Sequence, residues 1–364
     1  MKINTFKLIV CLLCVPVITL AHGEKGKNWK HTKSKKINKN FNVNANALLA
    51  IDNSYGNIDI TTWDQNKVVM EIIITTSGDD LEDVQEHLDN INVDISSSSS
   101  KVSAKTIFDK KEKSWWSSWW GGNNNVHTEI NYIIKAPSSN NFELDNDYGS
   151  IALDKATGSV DINCDYGKLI LGELLSTDNY LNFDYTNNST IQYMKSGKIS
   201  ADYSGFELMK ADDLELRADY TKSSLGAIKK LNYNCDYGKI TVEKTMGVIG
   251  RGDYVSQRIG QLEGEADLNS DYGSIKIETV REKSGNIRID SDYTPVRIGY
   301  DANYEFTITA DLSYANLKGK DELTLTLDEK SNGGRKINGY HLNKNAKNTI
   351  NINSDYGSVT LTKQ

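Results

Sequence analysis

Proline is scarce in this sequence, with three among 364 residues, which excludes a proline-rich stalk. After residue 21 no apolar run is long enough to cross a bilayer as a helix. The five histidines, His22, His31, His87, His127 and His341, include no pair at metal-ligand spacing. Metalloprotease, P-loop and nucleophile-elbow motifs are missing. No metal and no cofactor is therefore expected, and no catalytic residue is assigned. Cysteine is also sparse: Cys11 and Cys14 sit in the leading segment, leaving Cys164 and Cys235. Charged residues make up 25% of the chain, the globular average, and the 38% hydrophobic share suffices for a core.

Positive charge is missing from the body and concentrated at the start. Lys2 and Lys7 precede an apolar run, Leu8 to Leu20, and Thr19-Leu20-Ala21 resembles a cleavage site. Residues 1–21 read as an export signal. A lipid anchor on Cys11 or Cys14 is the rival, but neither has the small preceding residues that such processing prefers. Residues 22–40 carry seven lysines and one glutamate and read as a basic flexible linker. Contact of this stretch with an anionic membrane or polysaccharide is the functional alternative to a solvated linker. Removing its +6 and the signal's +2 from the chain total of −7 leaves −15 for residues 41–364. So acidic a body argues against a nucleic-acid partner.

What the sequence has in abundance is one phrase. Leu144-Asp145-Asn146-Asp147-Tyr148-Gly149 returns as Ile162-Asn163-Cys164-Asp165-Tyr166-Gly167, and again around Tyr237, Tyr272 and Tyr356. Weaker copies end in Tyr185, Tyr203, Tyr220, Tyr254 and Tyr293, and Ser313-Tyr314 is a copy without its aspartate. Successive tyrosines from 148 to 314 are 17 to 21 residues apart, and the 42-residue step to Tyr356 reads as two periods with one degenerate copy. A sustained period of this length marks a repeat architecture. Each unit holds an alternating run, a corner at Tyr-Gly and a second alternating run, so it is a coil of short strands. The expected fold is all-β, a parallel β-helix or solenoid of about a dozen coils over residues 138–364.

Alternation also assigns faces. Leu216, Ala218 and Tyr220 share parity, as do Ile162, Cys164 and Tyr166. The apolar members mark that face as interior, so the tyrosines are expected as a stacked structural ladder on the core side of each corner: Tyr148, Tyr166, Tyr185, Tyr203, Tyr220, Tyr237, Tyr254, Tyr272, Tyr293 and Tyr356. An outward stripe is the alternative if parity slips at the corner. Cys164 and Cys235 occupy equivalent places four coils apart, about 19 Å at strand spacing, too far for a disulfide. Ten aspartates precede tyrosines and would stack about 4.8 Å apart, repelling by roughly 1 kcal/mol per pair in water. Hydrogen bonds from turn N–H groups offset this, or else calcium does.

Residues 41–137 read as a first coil, Ile51 to Ile60, followed by an elaboration. Val68 to Thr75 is an expected buried strand. Asp79 to Ile91 is an expected helix with Asp79 as its cap and an apolar stripe of Leu81, Val84, Leu88 and Ile91. Within the elaboration, Ser114 to Asn125 holds four of the six tryptophans. Trp115, Trp116, Trp119 and Trp120, preceded by Lys111 and Lys113, are the expected ligand-binding residues, because clustered aromatics without a buriable periodicity mark a contact surface.

An exported chain with recurrent strand–Tyr/Asn-Gly–Ile-x-Ile coils resembles the bacterial "putative adhesin" family, an adhesin-like domain of unknown function with a parallel β-helix. The resemblance covers about residues 41–364, and the tryptophan-rich segment departs from it. It implies a non-enzymatic envelope protein that binds or scaffolds at the cell surface or in the periplasm, with a surface, glycan or protein as its unnamed ligand. The alternative is a carbohydrate-active β-helix enzyme, a polysaccharide lyase or hydrolase using ladder carboxylates as acid and base. That alternative needs different residues to converge in one cleft, whereas this chain repeats one residue evenly.

Overall fold

The structure, a computed structural model, describes residues 28–109 and 126–364. The expected export signal, residues 1–21, lies outside the described residues. The described residues form 26 strands in one hydrogen-bonded sheet and a single α-helix, so the fold is all-β.

Two parallel ladders organise the strands. Segments that precede a tyrosine pair with one another: Leu48–Ser54, Asn141–Asp147, Val160–Asp165 and Asn179–Asp184 lie side by side. Segments that follow a tyrosine pair likewise, as in Ile58–Trp63, Ser150–Ala156 and Lys168–Leu174. In the middle of the chain one long strand serves both ladders. Ser189–Asp202 places Ile191 beside Leu208 in the second ladder and Ile199 beside Leu216 in the first. The period of the sequence thus becomes register: Ile162 meets Leu144 on one side and Leu181 on the other. Within each ladder alternate residues are buried, and these apolar rows form one continuous core. Where one row carries a large ring, its neighbour yields. Tyr233 lies beside Gly250, and a Cβ on Gly250 would collide with that ring.

The corner differs from the expectation in which residue carries the unusual backbone. All twelve repeat tyrosines have positive φ, between 49° and 63°, whereas the following glycines do not. Glycine is needed there for close approach instead. A Cβ on Gly149 would meet the carbonyl oxygen of Gly56, and one on Gly167 would meet that of Gly149. Where the position is threonine, the hydroxyl bonds the preceding corner: Thr186 Oγ1 donates to the Cys164 carbonyl at 3.1 Å and Thr221 Oγ1 to that of Ala201 at 2.8 Å.

The order of coils departs from the order of the chain at the C-terminal end. Ile287–Asp292 pairs not with the next segment but with Thr349–Asp355, and Phe306–Ser313 lies beyond it. The final repeat is therefore inserted between two earlier ones, and Tyr356 stacks between Tyr293 and Tyr314. The 42-residue step holds no degenerate copy. It holds an antiparallel excursion, Thr324–Lys330 against Gly334–His341, which itself pairs antiparallel with Phe306–Ser313.

The N-terminal elaboration also differs. Residues 31–40 of the expected flexible linker belong to a strand, His31–Asn42, paired antiparallel along its whole length with Lys67–Gly78. Lysine on an edge strand blocks further pairing, which reconciles a polar composition with a strand. Lys35 has a second role, since its ammonium donates to the carbonyls of Leu88 (2.8 Å) and Ile91 at the end of the helix. That helix, Leu81–Asp89, is capped by Asp80 rather than Asp79: the Asp80 carboxylate accepts the N–H groups of Glu82 and Asp83. It buries Val84 and Leu88, while Leu81 is exposed and Ile91 belongs to the next strand, Ile91–Ser97.

Cys164 and Cys235 are both free and buried. Burial pushes each thiol up to about 12, with nearby aspartates adding to the shift. Neither should react with iodoacetamide in the native protein at pH 8, and both should be modified once after unfolding without reductant. A mass-spectrometric peptide linking the two would break the coil register.

Candidate functional site

Positive φ at a tyrosine has a large consequence for its side chain. In regular strand geometry Tyr220 would share the buried face of Leu216 and Ala218. At φ 53° the chain turns outward before that alternation is completed, and Leu216 and Ala218 are buried while Tyr220 is half exposed. The expectation of a core-side ladder is therefore corrected at every coil. Tyr148, Tyr166, Tyr185, Tyr203, Tyr220, Tyr237, Tyr254, Tyr272, Tyr293, Tyr314 and Tyr356 are 43–67% exposed.

These rings form one column on the surface. Neighbouring centroids are 4.7 to 5.3 Å apart and the planes are within 9° of parallel, from Tyr55 and Tyr148 through to Tyr356 and Tyr314. Twelve rings at strand spacing make a ribbon roughly 50 Å long. Both ends are closed. Phe108 meets the Tyr55 ring edge-on at 87°, and the Gly333 backbone, at φ 78°, lies against the Tyr314 ring. The ribbon thus presents ring edges and hydroxyls to solvent, not ring faces. Tyr55 and Tyr314 complete the column beyond the ten rings expected as a ladder. Ser54-Tyr55-Gly56 and Ser313-Tyr314 were the signals in the sequence that pointed to them.

Backbone hydrogen bonds hold the strained corner. The Tyr148 N–H donates to the Asp165 carbonyl, that of Tyr166 to Asp184, and that of Tyr220 to Asp236, so these tyrosines are tied to the next repeat, while the Tyr314 N–H donates to Gly333. A left-handed backbone costs a non-glycine residue about 1–2 kcal/mol. Stacking contributes about 0.5–1.5 kcal/mol per ring pair, and an interior ring has two neighbours. The two terms are of the same size, so the stack offsets the strain it accompanies.

Beside the tyrosines runs a row of aspartates. Ten follow one another in space, Asp147, Asp165, Asp184, Asp202, Asp219, Asp236, Asp253, Asp271, Asp292 and Asp355, with Ser54 at one end and Ser313 at the other. Through the centre each carboxylate accepts the N–H of the next aspartate: Asp165 from Asp184 at 3.2 Å, Asp184 from Asp202 at 3.0 Å, Asp236 from Asp253 at 2.9 Å. A hydrogen bond to a charged acceptor contributes about 1.5–3 kcal/mol, which offsets the roughly 1 kcal/mol of repulsion between carboxylates in water but not the desolvation that accompanies it. Desolvation, followed by the neighbouring carboxylates, raises the carboxyls of Asp147 and Asp292 above the ordinary range. Asp253 is raised too, by desolvation first, with the Asp271 N–H opposing. The phenols of Tyr185 and Tyr220 are likewise raised, by desolvation and then by neighbouring phenols and aspartates, so both stay protonated at neutral pH.

On the other flank the row after the corner is mixed: Ser150, Lys168, Lys222, Lys239, Ser256, Ser274 and Ser358. Among the described residues no three histidine, cysteine or acidic side chains converge on a metal-binding geometry. The Arg251-Gly252-Asp253 tripeptide is part of the repeat, with Arg251 paired to Asp267 at 3.2 Å. The expected ligand-binding residues Trp115, Trp116, Trp119, Trp120, Lys111 and Lys113 lie outside the described residues.

No protein-family description matches this chain, and no curated protein matches it. Among solved structures it is similar to a "putative adhesin" from Parabacteroides distasonis ATCC 8503, at 11% identity over 73% of this chain and 93% of that one, with a TM-score of 0.33. It is similar to a "putative adhesin" from Parabacteroides merdae ATCC 43184, at 10% identity over 90% and 96%, with a TM-score of 0.30. A "putative lipid binding protein" from Parabacteroides distasonis ATCC 8503 is similar at 9% identity over 91% and 97%, again with a TM-score of 0.30.

Two outcomes follow from the outward tyrosines. Tyr237→Ala keeps the strained corner and loses two stacking contacts, so it should destabilise by about 1–3 kcal/mol. Tyr237→Asn, which tolerates the left-handed region, should change stability by less than about 1 kcal/mol. Tyr233→Ala, four residues earlier and fully buried, should cost about 3–5 kcal/mol. Denaturant midpoints of the three variants check this, and equal losses at 233 and 237 would place Tyr237 inside. In the aspartate row, Asp253→Asn keeps an acceptor for the Asp271 N–H and removes a charge. The Asp253 carboxyl is raised in the folded state, so its protonated form favours folding and its stabilising effect is lost as pH rises through the folded value. Asp253→Asn should therefore raise the melting temperature at pH 7, and the gain should disappear below the ordinary carboxylate range. A gain that grew on acidification would reverse the sign.

Proposed function

We propose that this is an exported, non-enzymatic, adhesin-like protein that binds or scaffolds at the cell surface or in the periplasm. In this reading the two ladders are the walls of a parallel β-solenoid, each turn running from the first ladder through a tyrosine corner to the second and on to the next rung. The observation that carries the function is the tyrosine ribbon: a solvent-facing aromatic column along the described coils, which a purely structural repeat would build more cheaply from glycine or asparagine. Regular repetition of one residue type suits a contact made along a length. A hydrolase or lyase needs dissimilar groups converging on one bond. Among the described residues no helix is long and apolar enough to cross a membrane.

Replacing Tyr203, Tyr220, Tyr237 and Tyr254 together by Asn tests the reading. The variant should fold and melt close to the parent, and its association with isolated envelope fractions should fall at least tenfold. Unchanged association would remove the ribbon from the function. Release of new chain ends from a panel of neutral and acidic polysaccharides would favour the enzyme instead. On sequence grounds Trp115, Trp116, Trp119 and Trp120, with Lys111 and Lys113, are proposed as a further contact, tested by replacing the four tryptophans with Ser in the same assay.

A further inference from the structure

We infer that the ribbon's ligand is a linear, extended glycan, neutral or amino-bearing, lying along the column with about one sugar per tyrosine. The inference rests on the ribbon being the contact surface. Four observations narrow the ligand class.

The first is the step. Hydroxyl-bearing rings recur every 4.7 to 5.3 Å with planes within 9° of parallel, so neighbouring rings form a nearly straight comb. A β-1,4-linked pyranose chain advances by about one strand spacing per sugar and flips alternate sugars, so like-facing groups recur at every second ring and stay in phase with such a comb. An extended peptide presents like-facing side chains only every second residue, about 6.6 Å apart, and falls out of phase within a few rungs.

The second is charge. Ten aspartates border the comb, from Asp147 to Asp355 in spatial order. Phosphate backbones, uronic-acid polymers and anionic lipid surfaces meet like charge along that flank, and the ten aspartates outnumber Lys168, Lys222 and Lys239 on the other. A neutral or cationic polymer does not, and carboxylates are good acceptors for sugar hydroxyl and ammonium groups.

The third is the ring faces. Sugars commonly dock on an aromatic face, and cations do as well. Each interior ring has neighbours on both faces, and Phe108 and Gly333 occupy the ends. Recognition must therefore run through phenol hydroxyls and carboxylates, by many modest hydrogen bonds.

The fourth is the supply of unused donors. Among the described residues the hydroxyls from Tyr148 to Tyr356 in the column bond no other protein group, whereas of the buried tyrosines Tyr132, Tyr233 and Tyr304 have a partner and Tyr300 has none. The ribbon phenols are exposed, and each can donate one hydrogen bond and accept others.

Many small contacts in series predict a strong dependence on ligand length. The experiment uses the mature chain with soluble cello-oligosaccharides and chitosan oligomers of two to eight sugars, polygalacturonate as the acidic control, and calorimetry or ligand-observed NMR. Its decisive variant is Tyr203, Tyr220, Tyr237 and Tyr254→Phe, which keeps the rings and removes four hydroxyls. Affinity should rise at least tenfold from the disaccharide to the hexasaccharide in at least one neutral or amino series. It should fall at least tenfold in the Phe variant with the melting temperature unchanged, and polygalacturonate should not bind. Binding untouched by the Phe changes would overturn the inference, as would preference for the acidic polymer. Envelope association without binding of any oligomer would overturn the glycan and leave the proposed function standing. Self-association of the parent that the Phe variant loses, again without oligomer binding, would assign the ribbon to a second copy of the chain and also overturn it.

Discussion

The left-handed tyrosine corner is the constraint on which the rest depends. Along the column from Tyr55 to Tyr356 the tyrosine N–H is bonded to the next repeat, and that of Tyr314 to Gly333, which links neighbouring repeats where the chain changes ladder. Strain in one corner is tolerable only because the corners above and below hold the same shape. A residue forced to positive φ persists where its surroundings over-determine it, and here the surroundings are copies of the same corner. Coil spacing, ring stacking and the aspartate N–H chain then share one repeat distance. None could change alone: a coil set at another spacing would unstack its ring, lose its carboxylate acceptor and break its backbone bonds together.

The same constraint explains the two out-of-order ends. A strand of a parallel ladder needs partners on both edges, and the chain does not have to supply them in sequence. Leu48–Ser54 pairs with Asn141–Asp147 across the whole N-terminal elaboration, and Thr349–Asp355 slides between Ile287–Asp292 and Phe306–Ser313. Each inserted coil brings its own tyrosine into the column. What is left at either end is antiparallel: His31–Asn42 on Lys67–Gly78 at one end, Thr324–Lys330 on Gly334–His341 at the other. Lysines on the first and charged residues on the second discourage further pairing.

Much of this was legible in the residues. The period of 17 to 21 and the alternation around each tyrosine place the parallel pairing, and equivalent cysteines are separated as the register requires. Parity failed at the corner because it presumes an extended backbone up to and including the tyrosine. A single residue at φ 53° redirects Tyr220 to solvent while Ala218, two positions earlier, stays buried. Glycine beside it invited the wrong assignment of the unusual backbone, since close approach and positive φ both select glycine and only the first operates there. The Lys-rich strand was hidden by composition: its pairing energy comes from partners between 25 (Asn42 with Lys67) and 47 (His31 with Gly78) residues away, which no local reading contains. Insertion of the last coil was hidden for a similar reason, because a spacing of 42 fits two periods whatever occupies them.

A repeat protein that needs positive φ at every corner has inexpensive choices. Glycine reaches that region freely and asparagine readily, and stacked asparagines could still bond along the column. Tyrosine stands at all twelve corners instead, including the two at which aspartate has given way to serine. Stacking energy alone is an incomplete reason, since it does little more than cancel the strain, and phenylalanine would stack as well without a hydroxyl. From Tyr148 to Tyr356 in the column, the hydroxyl is the part of the side chain that bonds no other protein group. It is exposed, it stays protonated where the phenol is shifted, and it repeats at the spacing of the coils. That exposed, regularly repeated hydroxyl is the feature on which the proposed contact with an outside ligand rests.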